Sequence, residues 1–181
     1  MIKLSRGEKP EELTNDVCEE LKKLYAEDKD RDVWNSSKIK EPLKKAMLEM
    51  SHGKCSYCEC KLGIESKDVT IDHFLPKSEN PDEVVEWENL FPACLRCNRK
   101  KNKREERIVN PCVDEPKEYL GVTSVNRYRL KGIDTQGIGK NTIEVIGLND
   151  IERVMVPRMT EWEALKVHLE EIEEDLKEEG Y

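Results

Sequence analysis

Four of the seven cysteines fall into two knuckles, Cys55-x2-Cys58 and Cys94-x2-Cys97. Two sulfurs from each of two tight turns make the donor set of a tetrahedral zinc thiolate site, so these four residues are read as Zn(II) ligands. An odd cysteine count suits thiols and not disulfides. Cys18, Cys60 and Cys112 are expected as free thiols, with Cys60 also a competitor for the place of Cys58 in the string CSYCEC. Between and just after the knuckles stand Asp72-His73, Asn89 and Asn98. A neutral imidazole accepts a proton from water near neutral pH, and carboxylate and amide oxygens suit Mg(II) or Mn(II) better than they suit thiolate-bound zinc. Hydrolysis of a phosphodiester needs both parts: a water made nucleophilic and a cation beside the phosphate.

These residues need elements to hold them. Val69, Ile71 and Phe74 alternate with Thr70 and Asp72 as in a short half-buried strand that Pro76 closes, with His73 near its end. On such a strand Asp72 and His73 point to opposite sides unless its end bends. From Leu95 to Glu106 the composition is that of a basic helix, with seven bases against Glu105 and Glu106. Arg96, Arg99, Lys100, Lys101 and Lys103 are expected to grip nucleic-acid phosphates without reading bases. Upstream, Leu13, Val17, Leu21, Leu24 and Tyr25 predict a helix from about 11 to 27, and Leu43, Ala46, Met47 and Met50 a second from Pro42 to about Met50. Residues 110 to 139 read as irregular, with a strand at 126 to 130. Trp162, Leu165, Leu169, Ile172 and Leu176 step by three and four, a heptad seam expected to pack within the chain.

Composition sets bounds. The 181 residues suffice for one domain with a buried interior, and no run approaches the roughly 20 apolar residues of a membrane helix. MIKLSRGEKP lacks an apolar export core, so a cytoplasmic protein is expected. The net charge of -8 argues against a polyanionic partner only on average: residues 161–181 hold nine acids against Lys166 and Lys177. The rest is near neutral, which leaves the basic stretch free to act locally. His52 and His168 are read as structural or surface groups.

The string IDHFLPKSENPDEVVEWENLFPACLRCNRKK, over roughly residues 52 to 103, resembles the zinc-containing HNH nucleases. More widely, MIKLSRGEKP, CSYCE, VNP at 109–111 and GLN at 147–149 resemble the HNH subunit of Septu anti-phage defence. The resemblance implies an α+β fold, mostly helical: a small ββα-metal core with a structural Zn(Cys)4 site, flanked by N-terminal and C-terminal helices. It divides the chain into a helical region (1–51), the zinc-braced core (52–108) and an extension (109–181), forming one compact unit. It implies a metal-dependent endonuclease acting on DNA, with an ATPase subunit of the same defence system as partner. His73 would be the general base, Asp72 and Asn98 would hold Mg(II) or Mn(II), and Asn89 would support the loop that orients the histidine. The rival expectation is a catalytically silent zinc module that binds nucleic acid.

Overall fold

Thr14 sets the start of the first helix. Its hydroxyl accepts from Val17 N at 3.3 Å, so α1 runs Asn15–Glu27. The expected start near residue 11 is instead a separate turn, closed by Leu13 N on Pro10 O, because threonine caps a helix where proline and glutamate do not. Helix α2 (Lys40–Met50) carries Pro42 in its first turn, where no N–H is needed. The two helices bury Leu21, Tyr25, Leu43 and Met47, which gather with Trp34, Val84, Val85, Trp87, Leu90 and Phe91 into one core. Burial of each such aliphatic side chain contributes about 1.5–3 kcal/mol, which anchors both helices. The computed structural model describes residues 1–34, 38–65, 68–104, 106–125 and 128–179.

After α2, His52 and Gly53 adopt φ of 53° and 70°. This left-handed turn places Gly53 N on Leu48 O at 2.7 Å and reverses the chain into the first knuckle. Strand β1 (Thr70–His73) pairs antiparallel with β2 (Leu90–Ala93), Thr70 opposite Ala93 and His73 opposite Leu90. Helix α3 (Leu95–Lys101) follows β2 and packs on β1, completing a strand–strand–helix unit. Strand β2 is buried throughout and lies between two cores. Leu90 and Phe91 belong to the first; Ala93 joins Cys55, Tyr57, Ile108, Ile146 and Leu148 in the second. Helix α3 stops earlier than its composition predicts because Asn102 turns to a φ of 45°, a conformation asparagine tolerates. Glu105 lies outside the described residues.

The region read as irregular holds α4 (Pro116–Tyr119), an antiparallel pair β3 (Leu120–Val122) and β4 (Leu130–Gly132), and α5 (Ile138–Ile146). Of the strand expected at 126–130, only Leu130 belongs to β4; residues 126 and 127 lie outside the described residues. Gly147 ends α5 in the left-handed conformation, and its carbonyl accepts from Arg96 of α3. Asn149 bonds both Leu130 N and Leu130 O, so the GLN motif ties α5 to α3 and to β4.

Helix α6 (Val156–Glu178) follows a π-helical turn at Ile151–Met155. It carries the heptad seam, but none of its residues is buried, and Leu165, Leu169, Ile172 and Leu176 stay about half exposed. The expected packing within the chain is therefore corrected. A 3.5-residue period marks one face as apolar without fixing what covers it, and the acidic remainder keeps the helix hydrated. Among the described residues no helix is long and apolar enough to cross a membrane.

Candidate active site and metal centre

The first knuckle is a small closed hairpin. Lys54 bridges Lys61, Cys55 N bonds Cys60 O at 2.9 Å, and Glu59 supplies the tight turn with a φ of 66°. Ser56 N bonds Pro92 O at 3.0 Å, which fastens this knuckle to β2. The second knuckle is the start of α3, where Cys94 caps the helix and its Sγ accepts from Cys97 N at 3.4 Å. The sulfurs of Cys55, Cys58, Cys60 and Cys94 lie within 4.8 Å of one another, Cys58 and Cys94 at 3.8 Å. Cys97 also contacts Cys55, Cys58 and Cys94. Sulfurs bound tetrahedrally at about 2.3 Å from zinc stand ~3.8 Å apart, so both the spacing and the soft donors fit that ion. Hydrogen bonds from Cys55 and the other thiols hold Cys94 far below the usual thiol range, and the same network pushes Cys60 and Cys97 up. Cys60, expected as a free thiol, is a member of this cluster.

His73 stands at the end of β1 with its ring against the loop before β2. Nε2 lies 2.8 Å from the Val84 carbonyl oxygen. A carbonyl only accepts, so Nε2 carries the proton and Nδ1 holds the free lone pair. Burial pushes the imidazole down to about 4, which keeps the ring neutral near pH 7. Asn89, itself buried, secures the same loop. Its Oδ1 accepts from Leu75 N at 2.7 Å, and its Nδ2 donates to Leu75 O at 3.2 Å and Glu83 O at 3.0 Å. It reaches His73 through the Glu83–Val84 backbone and makes no direct bond to the ring.

Asp72 points the other way, as strand alternation requires. Its carboxylate is sealed beneath α3, accepting from Tyr57 Oη and lying 3.2 Å from Lys101 Nζ. Burial raises this carboxyl to about 6, against the opposing pull of Lys101. Lys101 Nζ also donates to the His73 carbonyl. Lys101, grouped by its sequence with the surface cations, is thus an interior counter-ion with 2% of its surface exposed. One turn earlier on α3, Asn98 donates through Nδ2 to Thr70 Oγ1 at 3.0 Å and leaves its amide oxygen to offer lone pairs. Asp72 and Asn98 thus meet at the β1–α3 junction as hard oxygen donors, which fit Mg(II) or Mn(II) by chemistry.

The other bases divide. Arg96 is drawn to Gly147 O and Asp150, while Arg99, Lys100 and Lys103 remain at the surface. Two contributors escaped sequence reasoning. Arg6 donates to Trp87 O, Glu88 O and Leu90 O at 2.7 to 3.1 Å and lies 4.2 Å over the Phe91 ring, pinning the turn that carries Asn89. Tyr57, an aromatic inside the first knuckle, links that knuckle to Asp72. The signals were present as an Arg in a short flanking motif and a Tyr between paired cysteines, but neither pattern names its partner.

Residues 55–104 match the HNH endonuclease family model. The chain is 41% identical to Septu protein PtuB of Bacillus thuringiensis over 162 residues, 88% of its length. It is 27% identical over 142 residues, 60% of its length, to Septu protein PtuB of Bacillus mycoides (strain KBAB4). It spans 59% and 47% of the lengths of these two relatives. A knuckle-braced ββα unit and the family match coincide on the same stretch: residues 55–104 are an HNH domain, in a chain similar over most of its length to the Septu PtuB protein of Bacillus thuringiensis.

Proposed function

We propose that this chain is a metal-dependent HNH endonuclease that hydrolyses DNA phosphodiester bonds as the effector of an anti-phage defence system. The observation that carries this reading is the His73 ring, held neutral with Nε2 on Val84 O and Nδ1 left to accept a proton from water. Val84, Asn89 and Arg6 act together to orient that ring, and a positioned base of this kind contributes roughly 10²–10⁴-fold to rate. Asp72 and Asn98 would hold Mg(II) or Mn(II), which supplies charge to offset the departing 3′ oxygen. Zinc on the knuckle cysteines has a structural duty: it would fix the distance from the first knuckle, which reaches Asp72 through Tyr57, to α3. Arg99, Lys100 and Lys103 would contact phosphates as positioning groups. The chain is read as residues 1–51, 52–108 and 109–181 acting as one unit in the cytoplasm.

An ATPase subunit of the same system is the proposed partner. The relatives' name, Septu protein PtuB, supports this, and the apolar seam of α6 offers a surface for it. A nuclease of low sequence specificity endangers its own host, so a partner that gates cleavage is physically reasonable. Plasmid incubated with the chain and Mg(II) or Mn(II), with and without the ATPase subunit, tests the reading. Nicking that disappears with EDTA is expected; no cleavage with the partner and metal present would overturn it.

A further inference from the structure

Five thiols surround a space that takes one zinc ion. Cys55, Cys58 and Cys94 are common to two groupings: with Cys60 they form a set within 4.8 Å of one another, and Cys97, which stands outside that set, contacts the same three. The arrangement is two four-sulfur holes sharing a three-sulfur face. The two unshared apices differ in access. Cys97 is 0% exposed, inside the second core. Cys60 is half-buried and, with Cys58 and Cys94, lines a cleft of about 850 Å³ between the first knuckle and the start of α6, whereas Cys55 and Cys97 do not line it. The hairpin that places Cys60 there is built, since Cys55 N bonds Cys60 O and Glu59 takes the left-handed turn that brings Cys60 back to the cluster.

We propose that the cluster is a two-position zinc site in which Cys97 is the resident fourth ligand and Cys60 the exchange ligand through which zinc enters and leaves from the cleft. This rests on the reading that the cluster holds zinc. Zinc takes four thiolates in a closed structural site. An ion leaving a site whose ligands are buried must break a zinc–sulfur bond with nothing to replace it, unless a neighbouring thiolate enters as another departs. Cys60 supplies that thiolate at the solvent side, and the ion then passes across the shared face without ever holding fewer than four sulfurs.

The test uses the full chain loaded with Zn(II) or Co(II). Wild type is expected to hold one zinc and give a four-sulfur Co(II) spectrum; wild type without zinc overturns the underlying reading and this proposal together. Cys60→Ser is expected to keep one zinc and the four-sulfur spectrum but to release zinc to EDTA more slowly, by roughly tenfold. Cys97→Ser is expected to keep a four-sulfur spectrum, with Cys60 now in fourth place, and to release zinc faster. An unchanged release rate in Cys60→Ser overturns the proposal while leaving the zinc reading intact, as does a folded Cys97→Ser protein with a three-sulfur spectrum. If Cys97→Ser fails to fold, the Cys60→Ser rate decides alone.

Discussion

The Lys101 ammonium stands 3.2 Å from a carboxylate oxygen of Asp72, with the two side chains only 2% and 4% exposed. Such a pair adds little over an apolar pair, because both groups have lost their water, yet removing one partner strands the other charge. Lys101→Met is expected to lower the unfolding free energy by about 3–5 kcal/mol in urea denaturation of the zinc-loaded chain. Adding Asp72→Asn to that variant should recover part of the loss. A loss below about 1 kcal/mol would place Lys101 with the exposed pairs instead.

His73 and Asp72 pull stability in opposite directions with pH. Burial lowers His73 from 6.5 to about 4, so protonation favours the unfolded chain. Its contribution is complete above about pH 6.5 and drains as pH falls toward 4. Asp72, raised by burial from 3.8 to about 6, contributes most at low pH and loses that contribution as pH rises through 6. His73→Gln removes the first effect alone. Relative to wild type, this variant should gain stability as pH falls from 7 to 5, by at most about 1.4 kcal/mol per pH unit. Parallel stability curves would show that the imidazole is not held neutral by burial.

Asn89 gives all three of its recorded hydrogen bonds to the backbone of Leu75 and Glu83. Asn89→Ala leaves buried backbone groups unpaired, which costs about 1–3 kcal/mol. Because Val84 follows Glu83, the variant is also expected to lower kcat with KM nearly unchanged. A full kcat in a chain destabilised to that extent would separate the loop from the orientation of His73.

Leu169 and Ile172 are about half exposed on α6. Leu169→Glu with Ile172→Glu is expected to shift stability by less than about 0.5 kcal/mol, because little burial is lost, and to abolish capture of the ATPase subunit. Unimpaired capture by the double variant would remove α6 from the proposed interface.

The chemistry of the site was legible because paired knuckles and Asp72-His73 depend on residue type and short spacing. The ββα order followed from alternation at Val69–Phe74 and the basic run after Cys94. Composition could not sort the seven bases of that run: Lys101 looks like Lys100 until the helix phase is drawn, when its three-residue spacing from Asn98 puts it on the inner face. Arg6 shows the other limit. Its partners lie more than 80 positions away, and no local periodicity encodes such a contact. For α6 the heptad revealed the seam but not its cover, because the same apolar period serves an intramolecular core or a separate partner.

The central claim is that His73 takes the proton from the attacking water, and cleavage by His73→Ala tests it most directly. Wild type and variant, matched for zinc content and assayed on plasmid with Mg(II) and the ATPase subunit, should differ by roughly 10²–10⁴-fold in rate. Equal rates from two equally folded proteins would contradict the assignment.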